Sequence, residues 1–369
     1  MNFICFTMAT TLESTTIDDS KTEKCILKCS SPTKTSCNTQ NITSAVVSPE
    51  SSPTSSKIDN PLETATFGEI LAGYNTRRPQ SLEWDGKFPC RDSDINDLSE
   101  EEIIDACNKA FKHEVFKGHP GIARISENTI VKHGYGVDLA EARTLEFIAK
   151  KKPSIRVPKV IRTFQKNGKR WGTLKRTYIV MEFMKGTPLS MCWEIMSETR
   201  REHICNQVVD AITDLRTIKV QTLGPIGGKN VWASPCKELF STDGMKAKSS
   251  IREFEAWYDF ALDFCKRFGR VPQDVPAFKD SFGSTLVMSH LDIATRNIIL
   301  QEDDTISIID WEFAGAYPTH FERLELEQTA FQKDKDFKER ILRQLPEDRE
   351  KIDHQLSVRW ATIAVSLPD

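Results

Sequence analysis

Two short apolar runs, Leu286-Val287-Met288 and Ile306 to Ile309, bracket a polar loop that reads Ser289-His290-Leu291-Asp292-Ile293-Ala294-Thr295-Arg296-Asn297. Both runs read as strands. Asp310 follows the second of them directly, thirteen residues beyond Asn297. A chain with this pattern must bring an aspartate and an asparagine, five residues apart on one tight loop, to the end of a neighbouring strand that carries a second aspartate. Phosphoryl transfer asks for such a set: a carboxylate to orient an attacking hydroxyl and oxygen ligands to hold magnesium on the phosphates. Asp292 and Asn297 offer one of each, and Asp310 completes the candidate metal site. His290, two before Asp292, is placed to brace the loop from inside by hydrogen bonding. The plainer alternative is a capping aspartate and a turn asparagine.

The rest of the chain has room for a fold around this loop. Its 369 residues are 39% hydrophobic and 28% charged, ordinary values for a chain with a real core. Residues 1–60 are rich in Ser, Thr, Asn and Lys and read as a disordered tail, with order expected to begin near Phe67. Ser99-Glu100-Glu101-Glu102 has capping-box spacing, so a helix is predicted over 100–111. Short strand-like runs follow at Val115-Phe116, Ile122 to Ile125 and Thr129 to Lys132, then a helix from Asp138 to Lys150 and an apolar strand from Tyr178 to Phe183. A linker is expected near Met184 to Pro188. Beyond it the pattern turns helical, over Glu198 to Ile218 and Ile251 to Phe268, with Gly269 as a plausible C-cap. The expected division is a tail over 1–60, an N-terminal extension and nucleotide-binding lobe over 61–185, and a helical lobe over 186–369.

Charge and cysteine usage narrow the partners and the compartment. A net charge of −3 supplies no field that favours nucleic acid or an anionic membrane, so no nucleic acid and no membrane partner is implied. Only Cys25 and Cys29 among ten cysteines lie close together, with no histidine near, which reads as reduced thiols rather than a zinc site. The absence of a long apolar stretch and of a basic leader points to a cytoplasmic protein.

The chain resembles the aminoglycoside phosphotransferase/choline kinase family, most closely a fungal-type branch of it. His290-Leu291-Asp292 through Asn297, Asp310-Trp311-Glu312-Phe313-Ala314-Gly315 and Tyr317-Pro318 carry the resemblance. Thr129 to Lys132, Glu141-Ala142 and Val180 to Phe183 with Gly186 and Leu189 add to it, all in the family's order. The spacing from Asn297 to Asp310 is also the one protein kinases use. The resemblance implies an α+β, two-lobed protein-kinase-like fold, with a small sheet-bearing N-lobe and a larger, mainly helical C-lobe. It further implies ATP as co-substrate, Mg2+ as cofactor and a small-molecule hydroxyl as acceptor. Asp292 and His290 would be catalytic, and Asn297 and Asp310 would hold the metal. Ile130 would cover the adenine, Lys132 would bind the α/β-phosphates, and Glu182 and Met184 would offer backbone groups to the base. Glu141 would partner Lys132, with Glu146 as the alternative.

Two features depart from the family pattern. Leucine at 291 stands where glycine is usual, and leucine is expected to bar the positive φ that glycine allows. Gly118-His119-Pro120-Gly121 is a poor glycine-rich loop, since Pro120 has no N–H for an anion. A protein kinase needs a peptide-docking segment after Asp310, whereas Ala314 to Pro318 follows almost at once, so a small-molecule acceptor is favoured. Glu312, Glu322, Glu325 and Glu327 would either hold a cationic substrate or form a solvated helix face. A catalytically silent nucleotide-binding scaffold and an atypical protein kinase are the rival readings, and the sequence leaves oligomeric state open.

Overall fold

Ser99 starts the first long helix because it can satisfy two backbone donors at once. Its hydroxyl accepts from the Glu102 N–H at 3.2 Å, and the Glu102 carboxylate accepts from the Ser99 N–H at 2.7 Å. The computed structural model describes residues 87–110, 121–167, 175–227, 230–231, 239–240, 245–246, 248, 250–329 and 334–364. The expectations for residues 1–60, for the onset of order near Phe67, for Val115-Phe116 and for Gly118 to Pro120 fall outside the described residues.

The N-terminal part is built on one antiparallel sheet. Its strands are β1 (Ile122–Arg124), β2 (Thr129–Gly134), β3 (Val160–Asn167) and β4 (Lys175–Glu182), in the order β1-β2-β4-β3. The period of two decides what each face does. Val131 and Val180 are fully buried on one face, with Ile103 and Ala106 of α1 (Glu100–Lys109) in the same cluster. Ile130 and Lys132 point to the other face, where Ile130 and Met181 join Leu145 and Ile148 of α2 (Leu139–Lys151). Asp138 caps α2 by accepting from the Ala140 N–H at 2.8 Å. Glu141 shares the apolar stripe of α2 with Leu145 and Ile148 and is buried, whereas Glu146 is exposed.

After β4 the chain passes Phe183 to Gly186 and enters β5 (Thr187–Pro188). Gly186 has φ 131° and lies against the backbone of Leu300 and, for an added Cβ, 2.8 Å from Ile299 Cγ2. No side chain fits there, which fixes the crossing point between sheet and helices.

The C-terminal part is mainly helical. Its two long helices, α3 (Glu198–Thr217) and α4 (Ile251–Arg267), are capped by Ser197 and Ser250 hydroxyls that accept from the Arg200 and Glu253 N–H groups. Phe254, Trp257 and Tyr258 of α4 are buried with Phe282 and Phe321, and burying a large apolar side chain stabilises by about 1.5–3 kcal/mol. Gly269, at φ 62°, ends this helix in the left-handed conformation. Small strands carry the loop of interest: β6 (Lys219–Val220), β7 (Leu286–Ser289), β8 (Ile298–Leu300), β9 (Ile306–Ile308) and β10 (Gly315–Pro318). They form two sheets, β10-β7-β6 and β9-β8-β5, every neighbouring pair antiparallel. Four shorter helices follow: α5 (Phe321–Gln328), α6 (Lys335–Leu342), α7 (Arg349–Ser357) and α8 (Arg359–Ala364).

This is the two-lobed, kinase-like α+β fold expected from the sequence. Among the described residues no helix is long and apolar enough to cross a membrane. Cys90, Cys107, Cys192, Cys205 and Cys265 are free thiols, and the remaining cysteines lie outside the described residues.

Candidate active site

Lys132 ends its alternation on the cleft face of the sheet and meets carboxylates from both parts of the fold. Its ammonium lies 2.9 Å from Glu141 Oε2, 2.7 Å from Asp310 Oδ1 and 3.0 Å from Glu312 Oε2. Burial alone would lower the lysine pKa, but the three carboxylates outweigh it and hold the group well above its ordinary range. Asp310 is held below the usual carboxylate range: burial opposes its charge, and the Lys132 charge and hydrogen bond prevail. Glu141, fully enclosed by the sheet and α2, is instead pushed up to about 7 by burial, against the pull of Lys132.

The loop between β7 and β8 is strained and strapped down. Leu291 has φ 59° with its side chain fully buried, so the expectation that leucine bars the left-handed conformation is wrong here. That conformation costs an L-residue roughly 1–2 kcal/mol, and local contacts must offset it. Glu322 of α5 supplies them. Its carboxylate accepts the His290 N–H at 2.5 Å and the Leu291 N–H at 3.1 Å. Burial, and Glu325 next to it, push the Glu322 carboxyl up to about 8, while the two backbone donors pull the other way. Thr295 is anchored in the same manner, its N–H donating to Asp334 Oδ1 at 3.1 Å and its hydroxyl to the same oxygen.

His290 sits inside the loop as a neutral brace. Its Nδ1 accepts the Asp292 N–H at 3.2 Å, so its proton is on Nε2, which donates to the Ile309 carbonyl at 3.1 Å. Burial lowers its pKa to about 4, and the edge of Trp311 packs against its ring at 4.6 Å. Asp292 is buried, with Oδ1 2.5 Å from an Arg296 guanidinium nitrogen and Oδ2 accepting from Asn297 Nδ2 at 2.7 Å. Burial raises the Asp292 pKa, opposed by Arg296 and by the Asn297 hydrogen bond. The Asn297 amide nitrogen also donates to the Asp292 carbonyl, which turns its oxygen to other work. Asp310, at φ 64°, turns the chain sharply out of β9.

Between the sheet and this loop lies a cleft of about 400 Å³, within the usual size of a small-ligand site. Ile130, Leu145, Met181, Met184 and Ile299 give it apolar walls, and Glu182 lines it as well. Lys132, Glu141, Arg296, Asn297 and Asp310 are polar groups of its lining, with Arg124, Lys185 and Ser190. All the nucleotide and metal candidates read from the sequence thus border one cleft, with Asp292 and His290 directly behind Asn297 and Asp310. Among the described residues no group of three or more His, Cys, Asp and Glu side chains forms a metal cage. Asn297 and Asp310 fit a magnesium ion that takes its remaining ligands from phosphates and water, which is how that cation is usually held. The site also sets three carboxylates against one ammonium, an excess of negative charge that suits a divalent cation.

Sequence reasoning missed or misread several residues here. Glu322 and Glu325 are neither on a solvated face nor free for a cationic substrate: they point inward, Glu322 onto the loop and Glu325 toward Lys338 at 3.6 Å. Glu327 pairs with Arg323 and Arg349, and Glu312 with Lys132. Arg296 and Asp334 were not singled out, although Arg296 lies four residues after Asp292 and directly before Asn297. Glu141, named ahead of Glu146 as the partner of Lys132, does meet it, and lies on the helical stripe through Leu145 and Ile148, while Glu146 is exposed.

A family model described as the phosphotransferase enzyme family matches residues 139–324. Among curated proteins compared by sequence, none matches. Solved structures similar to the chain include the streptomycin–ATP ternary complex of APH(2'')-IIa, at 13% identity, covering 70% of this chain and 86% of that one with a TM-score of 0.41. They also include the ADP-bound aminoglycoside phosphotransferase APH(2'')-Ib, at 12% identity, 64% and 88% coverage and TM-score 0.35. A third is aminoglycoside phosphotransferase APH(4)-Ia, at 12% identity, 63% and 76% coverage and TM-score 0.37.

Proposed function

Because the chain belongs to the phosphotransferase enzyme family, we propose that it moves the γ-phosphate of ATP to a hydroxyl of a small molecule. The observation that carries this reading is the meeting of Lys132, Glu141 and Asp310, across 178 residues of sequence, beside a loop that holds Asp292 and Asn297. A protein that only bound nucleotide would need a cation for the phosphates, but it would have no use for a buried aspartate behind them.

The roles follow from placement. Ile130 and Met181 line the cleft where a purine would lie, and Glu182 and Met184, which border it too, would offer it backbone groups. Lys132 meets the α/β-phosphates, and Glu141 keeps it charged and aimed. Asn297 and Asp310 would hold Mg2+, which when bound neutralises phosphate charge as the bridge to the γ-phosphorus breaks. Asp292 orients the acceptor hydroxyl and takes its proton, while His290 keeps the loop in shape. The short turn from Trp311 to Ala314 leads straight into β10, which pairs with β7, so no segment is left for docking a peptide. That favours a small acceptor over a protein.

The test separates the two aspartates. ATP would be titrated with and without magnesium into wild type, Asp292→Asn and Asp310→Asn, and ATP consumption measured against a panel of small alcohols. Asp292→Asn should keep ATP affinity within about three-fold and slow transfer by about 10²–10⁴-fold. Asp310→Asn should lose magnesium-dependent affinity and transfer together. A wild-type protein that binds no nucleotide ends this reading.

A further inference from the structure

The Asp292 carboxylate is gripped at both oxygens, by Asn297 at Oδ2 and by Arg296 at Oδ1. The first grip is buried and local. The second is unlike it, because the Arg296 side chain is 50% exposed while that of Asp292 is 6% exposed. An i,i+4 ion pair with one solvated partner contributes little to stability, typically less than about 1 kcal/mol. Yet it occupies the oxygen that would have to receive a proton.

Arg296 also lines the ATP cleft, together with Lys132, Asn297 and Asp310. The other cations there do not reach the base. Lys132 is caught among three carboxylates, Arg124 donates to the Glu127 carbonyl, and Lys185 forms an exposed pair with the Glu127 carboxylate. Arg296 is the one of these four that touches Asp292, and its head is half-exposed to the cleft. The transferred phosphoryl group spreads its charge over three equatorial oxygens, a target that suits the planar fork of a guanidinium.

We infer that Arg296 is a catalytic residue of the transfer step, clasping Asp292 in the free protein and turning to the γ-phosphoryl oxygens when ATP is bound. The inference rests on the phosphotransferase reading above. The turn frees Asp292 Oδ1 at the moment it is needed. The acceptor O–H bond then breaks and its proton passes to Oδ1, and the acceptor oxygen bonds to the γ-phosphorus. The bond from that phosphorus to the bridging oxygen breaks, and its electron pair leaves with ADP.

The experiment uses Mg-ATP with water as acceptor, so that no alcohol need be known, and compares wild type, Arg296→Ala, Arg296→Lys and Asp292→Asn. Turnover and ATP affinity are read separately, and guanidinium chloride is added at low millimolar concentration. Arg296→Ala should turn over at least about 10²-fold more slowly with ATP affinity within about three-fold, since cis and trans arginines in such reactions contribute about 10³-fold or more. Guanidinium should restore part of the loss in Arg296→Ala and nothing in Asp292→Asn. Arg296→Lys, which keeps charge without the fork, should fall between wild type and Arg296→Ala and serves as the folding control. Wild-type turnover in Arg296→Ala, a loss confined to ATP affinity, or a loss that guanidinium leaves untouched overturns the assignment while leaving the phosphotransferase reading in place. A wild-type protein that turns over no ATP overturns that reading, and this one with it.

Discussion

Lys132→Met should cost stability as well as activity, and the cost should depend on pH in a defined direction. The substitution preserves length and apolar bulk but leaves Glu141, Asp310 and Glu312 facing one another without their shared cation. Breaking a buried ion pair by removing one partner typically costs about 3–5 kcal/mol. The lower end applies here, because the Asp310 and Glu312 side chains are 35% and 38% exposed and water screens them. A loss of about 3 kcal/mol in a domain of this size lowers Tm by about 6–12 °C. In wild type the raised Lys132 pKa means that its stabilisation is complete below the ordinary lysine range and is lost as pH rises through the folded value. The lowered Asp310 pKa means that its share is present above the ordinary carboxylate range and is lost as pH falls. Without Lys132 the carboxylates repel, so protonating them relieves the variant. The gap between wild type and Lys132→Met should therefore be widest near pH 8 and shrink toward pH 5. Thermal melts of both proteins at these two pH values, without nucleotide, measure it. The double variant Lys132→Met/Glu141→Gln should recover part of the gap. An unchanged Tm at pH 8, or a gap that widens on acidification, would refute the reasoning.

Leu291→Ala should lose about 2–5 kcal/mol for the deleted side chain. Leu291→Gly should end within about 1 kcal/mol of it despite losing one more methyl, because glycine relieves the positive φ; urea unfolding of the pair decides. Glu322→Gln places an amide donor where two backbone N–H groups already donate. Because the Glu322 carboxyl is pushed up to about 8, the cost should be about 2–3 kcal/mol by urea unfolding at pH 9, where the carboxylate is ionised; ATP turnover should slow with nucleotide affinity unchanged. A Gln variant as stable as wild type at pH 9 would refute the role given to the Glu322 carboxylate.

Helices and the central strands were readable because their signals are local. The Ser99 and Glu102 pair defines the start of α1, and the alternation through Val131 and Lys132 assigns each side of β2. β3 escaped notice for a physical reason. It is an edge strand whose side chains are mostly half-buried or exposed, so it carries no sharp two-residue pattern, and a register shift between Val160 and Arg162 blurs it further. β5 and β10 are two and four residues long and pair with partners distant in sequence, and β8, three residues long, joins its near neighbour β9 to the distant β5.

The site was legible in residue type and spacing, but its conformation was not, and Leu291 explains the difference. Local preference says that leucine avoids φ near 60°, and Leu291 adopts it. What reverses the preference is Glu322, 31 residues away, whose carboxylate takes the Leu291 N–H while the leucine side chain is buried. Read from sequence, Glu322 is one acid in a charged helix. In the fold it is the strap that lets a non-glycine loop present Asp292. Asp310 makes the same point from the other side of the cleft. It too has positive φ, which aspartate tolerates better, and its carboxylate is fixed by Lys132 from 178 residues earlier. A motif therefore records which groups must meet, whereas the strain that aims them is stabilised by contacts outside the motif. Substitutions at Glu322 should for that reason damage turnover as surely as substitutions at Asp292, although Glu322 itself meets no reacting atom.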